Sequence, residues 1–91
     1  MAGEKILVVD DEKMIRDLCA HILSAEWYQV TTASNGTAAL EELNHSTADL
    51  MITDLKMPGI DGLELFERVK AQQQDMVTIL ITGHGTIDTA I

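Results

Sequence analysis

Leu50-Met51-Ile52-Thr53-Asp54-Leu55-Lys56-Met57-Pro58-Gly59-Ile60-Asp61-Gly62 is the stretch on which the fold turns. It begins as a short apolar strand, Leu50-Met51-Ile52, which Thr53-Asp54 brings to an end. One proline and two glycines mark the residues after Asp54 as a loop. Leu65, Phe66 and Val69 then recur at helical spacing, to about Gln73. The order is strand, carboxylate at the strand end, loop, helix.

The same order repeats on both sides. Upstream, Ile6-Leu7-Val8-Val9 is wholly apolar and rich in β-branched residues, as a strand buried on both faces would be. Asp10-Asp11-Glu12 stops it, and Ile15, Leu18, Cys19, Ile22 and Leu23 form the apolar stripe of a helix over about 13–25. Tyr28 to Ala33 alternates, which suits a half-exposed strand at a sheet edge. Ser34-Asn35-Gly36 turns the chain into a helix with Ala39, Leu40 and Leu43 inward. Downstream, Val77 to Ile81 reads as a fourth buried strand, and Thr86 to Ile91 as the opening of a fourth helix. Alternation of this kind predicts an α/β fold, a doubly wound parallel sheet with strand order 2-1-3-4 and helices on both faces.

Composition sets the outer limits. Ninety-one residues allow one domain. An apolar fraction of 46% with 23% charged residues is ordinary for a globular chain and excludes a disordered one. Fifteen acids against six bases give a formal charge of −9, which disfavours direct binding to nucleic acid or to an anionic membrane. No apolar run nears the roughly 18 residues that span a bilayer. Residues 1–5 have no basic region or cleavage site of a secretory signal. The single Cys19 excludes an internal disulfide and fits a reducing cytoplasm. Scattered methionines read as packing or loop residues, His21 and His45 as surface, Trp27-Tyr28 as a core anchor, and Cys19 as a buried, inert thiol.

Open α/β sheets bind ligands outside the carboxyl ends of their strands. There the sequence puts Asp10 and Asp11, Asp54, and Thr82. With the first strand between the second and third, the three carboxylates converge. Clustered carboxylates repel and raise a pKa unless a cation joins them, and Mg2+ prefers such oxygen ligands. A carboxylate beside Mg2+ is a competent nucleophile toward a phosphoryl group. Taken singly, Asp11 is equally a helix cap, Asp54 a turn residue and Thr82 an ordinary strand end; only the joint pattern carries chemistry. A flavodoxin-like electron carrier would need a Ser-, Thr- or Gly-rich phosphate loop where Asp10-Asp11-Glu12 stands. A dehalogenase-type phosphatase would leave the Asp54 loop unexplained.

Ile6 to Glu12, Leu50 to Gly62 and Ile79-Leu80-Ile81-Thr82-Gly83 resemble the first strand and acidic pair, the phosphoacceptor strand and loop, and the switch strand of the receiver domain of two-component response regulators. The resemblance implies roles. Asp54 is the phosphoacceptor. Asp11, Asp54 and the backbone carbonyl of Lys56 hold Mg2+, with Asp10 acting largely through metal-bound water. Thr82 is the switch hydroxyl. Lys56 and His84 tune the lifetime of the phosphoryl group, and Pro58 and Gly62 shape the loop. The implied partners are a sensor histidine kinase or phosphotransfer protein and an output domain C-terminal to this segment, with cytoplasmic location, and a non-switching interaction module is the alternative. The family's fifth strand, with its lysine and aromatic, and the fifth helix have no counterpart in this sequence, since Lys70 is the last lysine and Phe66 the last aromatic. The 91 residues are therefore expected to be an incomplete receiver domain. An open edge on the fourth strand is expected to invite a dimer.

Overall fold

The computed structural model describes residues 3–73 and 75–81, and the backbone of 87–90. In chain order the elements are β1 (Lys5–Val9), α1 (Lys13–Ala25), β2 (Gln29–Ala33), α2 (Gly36–His45), β3 (Leu50–Asp54), α3 (Gly62–Gln72), β4 (Val77–Ile81) and β5 (Ile87–Ala90). The first four strands are parallel, in the expected order β2-β1-β3-β4.

Register decides what meets at the carboxyl edge. Val9 pairs with Ala33 on one side and Thr53 on the other, so Asp10 and Asp54 follow directly from paired positions. Asp54 in turn pairs with Ile81.

The main core lies between the sheet and α2 with α3. Leu7, Val9, Ala39, Leu43, Met51, Leu65 and Val69 are among its buried members. Each is apolar and spaced at period two on the strands or three to four on the helices, as burial of one face demands. Asn35 caps α2 by accepting the Ala38 amide at 2.8 Å, and Asp61 caps α3 by accepting the Glu64 amide at 2.8 Å.

The opposite face carries α1 alone among the described helices, packed over β1 and β2. Ile6 and Val8 are buried beneath it, so β1 is covered on both faces as expected. β4 is not. Thr78 and Leu80 are buried, whereas Val77, Ile79 and Ile81 are half-buried, because α1 does not reach that far across the sheet. The same limit leaves no residue of α1 fully buried, and Leu18 and Ile22 of its apolar stripe stay exposed. Cys19, Ile22, Leu23, Ile52, Ile79 and Ile81 line the resulting apolar groove.

Four further expectations change. The residues expected to open a fourth helix include Ile87–Ala90, whose backbone forms β5 antiparallel to β4. β-branched Ile87 and Thr89 favour the extended form, and the free amides and carbonyls of β4 offer it partners. β5 thereby covers the β4 edge, which removes the basis for a dimer through an exposed fourth strand. Trp27 is no core anchor; it is 77% exposed, with a left-handed φ of 71°. It sits just past the C-cap of α1, where its amide donates to the Ser24 carbonyl at 3.0 Å and the Tyr28 amide to Leu23 at 3.3 Å. That pair of bonds needs a left-handed residue whatever its side chain. Cys19 is half-buried rather than buried, and burial together with the nearby Asp10 charge pushes its thiol pKa up. His21 and His45 are exposed, and Met51, Met57 and Met76 are packed in the core, as expected, while Met14 is exposed.

Candidate functional site

The site stands on the carboxyl ends of β1 and β3. Asp10, Asp11 and Asp54 each bring a carboxylate oxygen within 4.8 Å of the other two. Asp10 is buried, Asp54 half-buried and Asp11 exposed. The sequence therefore placed its three acids correctly, and the parallel register is the cause.

Local geometry holds each acid. Asp10 accepts the Glu12 amide at 2.9 Å, which bends the chain from β1 into α1. Glu12 occupies the N-cap position without a side-chain bond, so Asp11 is not consumed as a helix cap. Asp54 accepts the Lys56 amide at 3.2 Å and does serve as a turn residue, in addition to its place in the cluster. The Leu55 amide donates to the Ile81 carbonyl at 2.8 Å, anchoring the start of the loop to β4.

Burial raises the Asp10 pKa, the Glu12 amide opposes that shift, and the charges of Asp54, Asp11 and Glu12 add to it. Burial is the larger cause, and the neighbouring acids act in the same direction. Oxygen donors of this number and spacing fit a hard divalent cation such as Mg2+.

Lys56 is exposed and next to Asp54 in the loop. Pro58 is exposed, and Gly62 is buried where a Cβ would overlap the Asp54 carbonyl oxygen and come within 2.9 Å of the Leu55 Cα. Thr82 and His84 lie outside the described residues; Thr82 follows Ile81, the register partner of Asp54. An open hollow of about 640 Å3 beside the acids is lined by Asp11, Asn35, Thr37, Pro58 and Ile60 among others.

Sequence reasoning missed Arg16. It is half-buried in the first turns of α1 and donates to the main-chain carbonyl of Asp10 at 2.8 Å. Its signal was a basic residue one helical turn after an acidic triplet, which on its own reads as a solvated charge.

A parallel α/β sheet with three acids at adjacent strand ends supplies the oxygen donors that a divalent cation would need. The chain belongs to the response regulator receiver domain family, which matches residues 6–91, and is thus a two-component phosphoacceptor switch rather than an enzyme in the ordinary sense. It is 39% identical over 88 residues to sporulation initiation phosphotransferase F of Bacillus subtilis, covering 97% of this chain and 71% of that protein. It is 35% identical over 86 residues to the DNA-binding transcriptional regulator NtrC of Escherichia coli, covering 94% of this chain and 18% of that protein. The response regulator TrrA of Thermotoga maritima, solved in complex with Mg2+ and BeF, superposes with a TM-score of 0.83 at 42% identity, over 89% of this chain and 72% of that one. TrrA has also been solved in complex with the histidine kinase ThkA, and that copy matches at 41% identity and a TM-score of 0.83, over 91% of this chain and 72% of that one. No helix among the described residues is long and apolar enough to cross a membrane.

Proposed function

We propose that Asp54 is the residue that accepts the phosphoryl group, from a phosphohistidine on a sensor kinase or phosphotransfer protein. Asp10, Asp11, Asp54 and the Lys56 carbonyl would hold Mg2+, which when bound neutralises charge on the incoming phosphoryl group. A carboxylate oxygen of Asp54 attacks phosphorus and the bond to the histidine nitrogen breaks. The product is an acyl phosphate, and the imidazole leaves. The observation that carries this reading is the cluster itself: Asp54 is half-buried, level with Asp10, and flanked by two further acids.

Thr82 then closes on the phosphoryl oxygens and reports the modified state, and Lys56 and His84 tune its lifetime, including loss of the group to water. Pro58 and Gly62 keep the loop in shape. Residues 1–91 belong to a single receiver domain, in the cytoplasm. Relatives that are several times longer support an output domain elsewhere in the full protein. The charge of −9 supports a role in which this segment does not itself touch nucleic acid.

The test uses a small-molecule phosphodonor with Mg2+ and mass spectrometry. One phosphoryl group should appear on Asp54 and be lost in Asp54→Asn, while Thr82→Ala still accepts it. Labelling of Asp54→Asn to the level of the parent would overturn the assignment, and a parent that never gains mass would revive the non-switching alternative.

A further inference from the structure

Gly36 is the first residue of α2, and it touches the acceptor loop. A Cβ at this position would lie 2.8 Å from the Cβ of Ile60, 2.9 Å from its Cγ2 and 3.1 Å from its carbonyl oxygen. Side-chain carbons do not approach that closely in packed interiors, so one of the two segments would have to move. Both are otherwise constrained. On the Gly36 side, Asn35 caps α2, and the preceding Ala33 carbonyl accepts the Asp10 amide at 3.1 Å. The turn that carries Gly36 is therefore tied to the acid pair. On the other side, Ile60 packs against the main core, Asp61 caps α3, and Gly62 is pressed against Asp54 and Leu55.

The loop 55–61 is clamped at its start by β4 and by the Lys56 amide on Asp54, at its end by Gly62, and in between by Met57, buried in the core, and by the seat of Ile60 on Gly36. Lys56 lies in this span. We propose that Gly36 is a positioning residue for the acceptor site: the space left by its missing side chain seats Ile60, and this contact, together with buried Met57, sets where the loop holds the Lys56 carbonyl relative to Asp10, Asp11 and Asp54. The inference rests on the cation-holding role proposed above for those groups. The effect of a side chain at 36 does not come from the backbone. Gly36 has no left-handed φ, and alanine is the better helix former. Any loss on Gly36→Ala comes from displacing Ile60.

The experiment is a Mg2+ titration followed by amide NMR, run beside thermal melts, on the parent, Gly36→Ala, Ile60→Gly and the double variant. Asp11→Asn is the control that loses the site. Gly36→Ala should stay folded, shift the amides of 55–61 before any Mg2+ is added, and bind Mg2+ about tenfold more weakly. In the Ile60→Gly background, where the two nearest obstructing atoms, both side-chain carbons, are gone, the same change should cost no more than about twofold. Equal Mg2+ affinity in folded Gly36→Ala and parent would overturn the proposal, as would full additivity in the double variant. If Gly36→Ala does not fold, Ile60→Ala decides: it should weaken Mg2+ binding while leaving the fold intact, and parent-like affinity sinks the idea. A parent with no saturable Mg2+ response would instead remove the proposed site itself.

Discussion

The guanidinium of Arg16 donates to the main-chain carbonyl of Asp10 at 2.8 Å, fastening the first turns of α1 to the residue that follows β1. Asp10 is buried, and its carboxylate belongs to the acid cluster. The arginine therefore holds the backbone from which the carboxylate projects. Replacing it removes a charge-assisted bond to a partly buried acceptor.

Arg16→Gln should destabilise the chain by about 1.5 kcal/mol, the usual worth of a hydrogen bond to a charged group. Urea unfolding measures that loss. Mg2+ affinity should fall as well, with Arg16→Lys between the two. Stability and affinity both equal to the parent would show that the bond positions nothing.

Asp10 makes stability depend on pH, with a sign opposite to that of a salt-bridged acid. Burial, and the charges of Asp54, Asp11 and Glu12, outweigh the Glu12 amide and raise its folded pKa above the usual carboxylate value. The folded state then binds the proton more tightly than the unfolded state does. Its contribution to stability falls as pH rises through the window between the unfolded and folded pKa values, and stays low above it. Without metal, Asp10→Asn should be more stable than the parent at pH 7 and lose this part of the pH dependence. It should also bind Mg2+ more weakly. Melts across pH 4 to 8 test the sign; a variant less stable than the parent at neutral pH would contradict it.

Trp27 holds a left-handed backbone with a bulky side chain that is 77% exposed. The conformation costs an L-residue about 1 kcal/mol, and glycine adopts it freely. Little packing is lost because the indole is mostly in water. Trp27→Gly should therefore raise stability by about 1 kcal/mol in a denaturant melt followed by circular dichroism, since the variant loses its tryptophan. A destabilised variant would show that the indole contributes packing that outweighs the strain.

The four parallel strands and three helices were legible in the residues, because their signals are local. Ile6 to Val9, the stripe from Ile15 to Leu23, and the Pro58-Gly59 loop each state a period or a breaker within a few positions. The three acids were legible for a related reason: a parallel sheet with β1 beside β3 can only bring strand ends together, so Asp10, Asp11 and Asp54 had to meet. What needed the tertiary structure were contacts between segments distant in sequence and the cover each face receives. Val77 to Ile81 is apolar enough for burial on both sides, yet three of its five residues stay partly exposed because α1 packs chiefly over β1 and β2. Ile87–Ala90 became a strand because β4 offered hydrogen-bond partners that no local pattern records. Trp27 reads as core material by composition, but the end of α1 required a left-handed residue there and turned the indole outward. Arg16 on Asp10 and Gly36 against Ile60 follow the same logic, since a hydrogen bond across a turn and the fit of one missing side chain depend on distances that exist only once the chain has packed.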